Sequence, residues 1–421
     1  MNMMHWRRSA RLLLLAGLAT GMLAGCKSLD STLNSSSKLL NVAMSPTGRD
    51  IAKIAKSKSP GKELSKEAKE LGASYKKDPR NALQDIQTAR YQFNQVMSGL
   101  MGLAGKQWGS RNARIPDRQH YVKYTHNYKS RAVVDFDQGR VTVETLEEAN
   151  ANDSLKSAIV TTLLTPDDPR AVDLFSDAEI KLTSKSDPYL YGLILDQGKK
   201  PVADPKSAEA FADWLVANAQ QTKPISTESG DKVVHFVEIA MVSNFEDKQA
   251  EKYRPVVQRF AQKFGVSESL VFGIIRTESN FNPFAVSSAP AYGLMQLVPS
   301  SGGHEGYKKA RGHDADPSRD FLFDAENNIE LGTAYLGILS GEQLNAVYND
   351  TSREYCVIAA YNTGPGNVLK AFSKDRYEAL DRINKMQPPQ VYDTLVRNLP
   401  YAETRSYVQK VVNYRKDYVR L

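Results

Sequence analysis

The 421-residue chain carries only two cysteines, Cys26 and Cys356, so no disulfide framework holds it together. Its six histidines form no pair at ligand-like helical spacing, so no metal site and no cofactor is expected. The apolar run at 12–24 is too short to span a bilayer comfortably. There is no internal repeat, and no low-complexity segment outside one lysine-rich stretch. Nor is the charge extreme. The formal value of +7 includes Arg7, Arg8 and Arg11 near the amino terminus, which leaves about +4 on the remainder. That suits an anionic polymer as partner, and it equally describes an ordinary solvated surface in which bases alternate with acids. What is present is a globular composition, 41% hydrophobic, on a chain long enough for two domains and a tether.

Residues 1–25 read as a signal peptide: three arginines, then the apolar run. The run ends in Leu23-Ala24-Gly25-Cys26, which resembles the lipobox of bacterial lipoproteins. The resemblance implies cleavage before Cys26 and acylation of that residue; the plain alternative is a secretory signal with an incidental cysteine. Several acyl chains on one residue would anchor stably, since each buried methylene contributes about 0.8 kcal/mol. Lys27 follows where an aspartate would argue for inner-membrane retention, so the expected location is the outer membrane, facing the periplasm. An exported lipoprotein does not meet nucleic acid. With Cys26 acylated, Cys356 has no partner and reads as a buried, inert thiol.

Residues 26–79 form a lysine-rich tether, with Lys53, Lys56, Lys58, Lys62, Lys66, Lys69, Lys76 and Lys77 crowded together. Helical periodicity over 81–108 opens a folded domain. The segment 131–146 alternates about Asp137-Gln138-Gly139-Arg140, as a hairpin does. Two helices, at 154–165 and 208–219, and a strand at 232–242 complete an α+β amino-terminal domain over 80–243.

The chemistry concentrates further on. Ser267 caps a helix on which Leu270, Ile274 and Glu278 recur every four residues, so an acid sits on an otherwise apolar stripe. Burial and the nearby helix C-terminus both disfavour its charged form and keep a proton available. Asn280 and Pro283 then break the helix and set Glu278 at the lip of a cleft. GLMQ (293–296) follows, with a Gly that lets backbone come close and a Met and a Gln able to line a sugar subsite, although a methionine in such a place is more often core than ligand contact. AYNTG (360–364) closes an apolar helix at Gly364 and Pro365, with Tyr361 and Asn362 in its last turn. ETRSYV (403–408) comes last.

The order and spacing of these four motifs over 253–419, with the linking stretch 323–339, resemble the catalytic domain of the lytic murein transglycosylases. Residues 80–243 resemble, less sharply, the amino-terminal domain of membrane-bound members. The expected fold is a two-domain α+β protein with a mostly α, lysozyme-like catalytic domain over 250–421. By motif, the resemblance implies that Glu278 is the general acid and base, that Tyr361 helps hold the reacting sugar, and that Glu403 supports Tyr361. Ser287, Met295, Gln296 and Asn362 would line the glycan cleft. One departure is visible: Pro290 stands where the family pattern Gly-Ala-x-Gly-Leu-Met-Gln opens with glycine, which bears on the local turn and not on the acid.

Ordinary glycosidases hold a second carboxylate across the scissile bond. The resemblance implies that one acid suffices, with the muramic acid's own acetamido and 6-hydroxyl groups acting in turn. No Asp or Glu lies between Ser279 and Gly303, in keeping with this. The implied partners are peptidoglycan glycan strands, the outer membrane through the lipid anchor, and a cell-wall synthase or divisome component. Two rivals differ in class. A hydrolytic lysozyme would need a second acid or an ordered water, and a non-enzymatic wall-binding lipoprotein would have lost Glu278 or Tyr361.

Overall fold

The computed structural model describes residues 79–180, 182 and 187–419. The signal peptide, Cys26 and the tether up to residue 78 lie outside the described residues. No described helix is long and apolar enough to cross a membrane.

The amino-terminal half is built on a five-stranded antiparallel sheet of order β1-β2-β3-β5-β4. Its strands are β1 (His120–Thr125), β2 (Ser130–Asp135), β3 (Arg140–Thr145), β4 (Gln221–Thr227) and β5 (Gly230–Ala240). The β2–β3 hairpin forms as the alternation predicts, with Asp135 opposite Arg140 and Gly139 at φ 59. Three helices accompany the sheet: α1 (Pro79–Trp108), α2 (Ala151–Leu163) and α3 (Pro205–Asn218). Leu100, Leu103 and Trp108 of α1 bury Val122, Tyr124, Val133 and Phe236 on one face. Tyr121, Ala132, Val134 and Val143 meet Leu155 and Ile159 of α2 on the other.

Two strands escape sequence reading for opposite reasons. β1 is buried on both faces except at His120, so it shows no polar alternation. β4 is a polar edge strand interrupted by Pro224, whose missing N–H is tolerated only at an edge.

From Phe245 onward the chain is helical. α4 (Phe245–Phe264) ends at Gly265 in the left-handed conformation, and α5 (Glu268–Ser279) begins at Ser267, whose hydroxyl accepts from Leu270 N. There follow α6 (Gly302–Arg311), α7 (Arg319–Phe323), α8 (Ala325–Ile338) and α9 (Asp350–Thr363). α10 (Pro365–Lys370), α11 (Arg376–Lys385), α12 (Pro388–Asn398) and α13 (Ala402–Tyr414) close the fold. Gly306 lets α6 lie against α8, because a Cβ there would strike the Leu331 carbonyl.

The two halves share one apolar core. Tyr121 of β1 and Tyr189 pack on Phe284 of the helical half at ring-centroid distances of 4.7 and 5.0 Å. Polar ties cross the same seam. Asn280 Nδ2 donates to Phe136 O at 2.6 Å, Asn282 Nδ2 to Arg118 O at 3.1 Å, and Val286 N to Asp117 O at 3.3 Å.

Candidate active site

Glu278 occupies the last turn of α5, 6% exposed, among Leu270, Val271, Ile274 and Ile275 of the same helix. The chain turns out of the helix through Asn280 and Phe281, both left-handed at φ 46 and 63. An aromatic residue in that region is strained, and such strain clusters at functional sites. The turn is the break expected at Asn280.

Burial pushes the Glu278 carboxyl up to about 7; the nearby hydroxyl of Tyr407 and the guanidinium of Arg118 pull the other way, and the Glu403 carboxylate adds to the rise. Arg118 Nη1 lies 3.6 Å from Glu278 Oε2, and its Nη2 lies 3.8 Å from Glu403 Oε1. The buried Tyr407 hydroxyl faces the carboxyl just outside strict hydrogen-bond geometry. The acid is thus poised to give up and recover a proton near neutral pH.

The GLMQ loop lies against the end of α5, where Ser279 Oγ donates to Leu294 O at 2.8 Å. Gly293, at φ 73, allows the backbone to approach Leu322 O and Asn328, where any Cβ would collide. Asn328, fully buried on α8, pins this loop: its Nδ2 donates to Tyr292 O and Leu322 O, both at 2.8 Å, and its Oδ1 accepts from Met295 N at 2.8 Å. Pro290 sits in a loop closed by Ser287 N donating to Ala291 O at 3.2 Å, so the turn forms without the family glycine.

The site residues expected from sequence occupy distinct environments. Tyr361, in the last turn of α9, donates its hydroxyl to Met295 O at 2.8 Å and is close enough to feel the Glu278 charge. Met295 reaches the site through that carbonyl alone, since its side chain is fully buried against Gly332. Gln296, at φ 47, donates its Nε2 to Gly293 O at 3.0 Å, and its buried Oε1 has no hydrogen-bond partner among the described residues. Asn362 accepts from Thr404 Oγ1 at 2.7 Å, tying α9 to α13. Ser287 is partly exposed at the loop rim.

Glu403 lies on the other side of Arg118 from the acid. Its side chain is 73% exposed and faces Arg118, while the Tyr361 hydroxyl is satisfied by Met295 O. Support for Tyr361 therefore comes from the loop backbone.

Sequence reasoning missed two residues that act on the acid, Arg118 and Tyr407, and one that holds Asn362, Thr404. Tyr407 and Thr404 lie within ETRSYV, but Arg118 is 160 positions before Glu278 and has no motif around it. Cys356 is buried and free, with its thiol pushed up to about 12 by desolvation. Among the described residues no cluster of three His, Cys, Asp or Glu could hold a metal ion.

A helical domain presenting one buried acid at a helix end, beside a loop and a tyrosine, defines the lysozyme-like transglycosylase class. Residues 255–384 match the family described as the transglycosylase SLT domain, and residues 84–252 match the N-terminal domain of membrane-bound lytic murein transglycosylase C. Membrane-bound lytic murein transglycosylase C of Yersinia pestis (strain Pestoides F) is 44% identical over 313 residues, covering 74% of this chain and 86% of the relative. The protein of that name from Yersinia pseudotuberculosis (serotype O:1b, strain IP 31758) gives the same figures. The chain belongs to the membrane-bound lytic murein transglycosylase C family, and it is a non-hydrolytic lyase acting on peptidoglycan.

Two solved structures are also similar. They are an inactive mutant of lytic transglycosylase Slt from Pseudomonas aeruginosa (32% identity, 40% of this chain, 24% of that one, TM-score 0.30) and the 70 kDa soluble lytic transglycosylase of Escherichia coli (28% identity, 39% and 24%, TM-score 0.30). This chain spans about a quarter of each.

Proposed function

We propose that Glu278 alone serves as acid and then base in cleavage of the β-1,4 bond between N-acetylmuramic acid and N-acetylglucosamine. The observation that carries this is the burial of Glu278, which keeps its proton to about pH 7; among the described residues the one carboxylate that acts on it is Glu403, which faces Arg118. The neutral acid protonates the glycosidic oxygen while the muramic acid's acetamido carbonyl attacks its own anomeric carbon, breaking the bond and giving an oxazolinium ion. The Glu278 carboxylate then removes the proton of the same sugar's 6-hydroxyl. That oxygen displaces the acetamido oxygen, and a 1,6-anhydro ring forms. The acid is regenerated and no water is consumed. Intramolecular attack outcompetes water because a tethered, oriented nucleophile acts at a very high effective concentration. In this reading Tyr361 helps hold the reacting sugar, and Ser287, Met295, Gln296 and Asn362 line the glycan cleft.

Digestion of purified murein in oxygen-18 water tests the reaction. The expected muropeptides end in an anhydro ring, resist borohydride and carry no label; reducible, labelled products would replace this reading with a hydrolytic one. Glu278→Gln tests the residue, with turnover expected to drop about 100- to 10,000-fold while the fold is kept. Near-normal activity would move the acid elsewhere.

Membrane association is inferred likewise, because the curated relatives are named membrane-bound. The Leu23-Ala24-Gly25-Cys26 sequence supports a finer reading: acylation of Cys26, with Lys27 directing the protein to the outer membrane and its catalytic part into the periplasm. A cell-wall synthase or divisome component is the partner class within reach of that location. Fractionation of Cys26→Ser decides the anchor. The variant is expected uncleaved at the inner membrane or soluble in the periplasm, and continued hydrophobic association with the outer membrane would refute acylation at Cys26.

A further inference from the structure

We propose that Arg118, supplied by the amino-terminal half, is a positioning residue for the catalytic carboxyl: its guanidinium bridges Glu278 and Glu403 across the seam and holds the proton affinity of Glu278 in check. This rests on Glu278 as the acid.

Geometry carries the assignment. Arg118 lies in the irregular segment before β1, far in sequence from every catalytic motif, yet its two terminal nitrogens face two carboxylates at 3.6 and 3.8 Å. The backbone beneath it is fixed from both sides. On its own side, Asp117 Oδ1 accepts from Gln119 N and His120 N, both at 2.8 Å, and the His120 ring closes on the same carboxylate at 2.9 Å. From the catalytic side, Asn282 donates to Arg118 O and Val286 N to Asp117 O. The asparagines that end α5 therefore do two things. They turn the chain away from Glu278, and they seize the neighbouring half so that its arginine arrives at the acid.

The groups facing the Glu278 carboxyl are Arg118 from this segment, Glu403 and Tyr407 from α13, and Tyr361 from α9. Asp117 and His120 satisfy each other. Arg118 is thus the one cation facing the acid among the described residues. Burial and Glu403 both drive Glu278 towards its neutral form; a cation at 3.6 Å opposes both. Without it the acid would still donate its proton, but the carboxylate needed to deprotonate the 6-hydroxyl would form less readily near neutral pH.

The test compares Arg118→Met and Arg118→Lys with the unaltered full chain. Carbon NMR of the glutamate carboxyls, with the Glu278 signal assigned by its loss in Glu278→Gln, reads the titration directly; the pH profile of kcat/KM reads it through catalysis. In Arg118→Met the Glu278 midpoint and the alkaline limb are both expected to rise by about one pH unit or more, as for a carboxylate losing an adjacent arginine. Arg118→Lys is expected to restore most of the shift. An unmoved midpoint in Arg118→Met overturns the proposal, as does a rise in KM with both limbs unchanged, which would make Arg118 a substrate grip. If Glu278→Gln stayed active, the acid assignment would fail instead, while the NMR comparison would still report on the pairing.

Discussion

Glu278 should make the protein less stable as pH rises through neutrality, and replacing it with glutamine should remove that dependence. An unfolded glutamate titrates near 4.5, whereas burial carries the folded residue to about 7. Between these values the native state holds a proton that the unfolded state has released, so stability falls as pH rises through the window. Below about 4.5 both states are protonated and nothing is lost. Above about 7 both are ionised and the full cost is present. Each pH unit between the two titrations is worth about 1.4 kcal/mol, so the cost reaches roughly 3 kcal/mol by pH 8.

Glu278→Gln keeps the shape and polarity of the neutral acid and cannot ionise. Urea unfolding of both proteins from pH 4.5 to 8.5 should show similar stability at the acid end, and the variant ahead by roughly 3 kcal/mol at the alkaline end. Since the same substitution should abolish turnover, this would be a gain in stability at the expense of function, as strained active sites predict. Equal stability of the two proteins at pH 8 would refute the claim that desolvation governs this carboxyl.

Tyr361→Phe deletes the hydroxyl that donates to Met295 O and should lower turnover without unfolding the protein; unchanged kinetics on murein would reduce Tyr361 to packing. Asn328→Ala removes three hydrogen bonds at a fully buried position and should cost about 3 kcal/mol or more, because the Tyr292 and Leu322 carbonyls and the Met295 amide are left without that partner. Chemical denaturation reads the cost directly. Activity should fall with it, since the GLMQ loop is fixed by this side chain.

Features legible in the sequence were those whose physics is local. Ser267 as a cap, the four-residue spacing to Glu278 and the turn at Asn280 are all settled within one helix and its ends. Gly364 likewise ends α9 where the apolar pattern stops, at φ 82. Interactions closed by tertiary packing were not legible. β1 looks patternless because α1 covers one face and α2 with Phe284 the other. The partners of Glu403 and Tyr361 are likewise set by packing: the Met295 carbonyl accepts from the Tyr361 hydroxyl, and Glu403 faces Arg118. Arg118 carried only the turn chemistry of Pro116-Asp117, a signal that fixes a bend and says nothing of what it faces.

That last residue alters the view of the helical half as a self-sufficient unit. The four motifs lie beyond residue 250, which by sequence predicts that residues 250–421 would fold and keep some activity alone. The seam argues for a weaker outcome. Phe284 would lose the rings of Tyr121 and Tyr189, and Asn280 and Asn282 would lose the carbonyls they grip. These contacts sit on the turn that immediately follows Glu278, so their loss falls on the acid first and on the distant helices α11 and α12 hardly at all. The sheet half is thereby coupled to catalysis through the few residues between Ser279 and Val286. It shapes the proton chemistry of an acid that it does not itself contain.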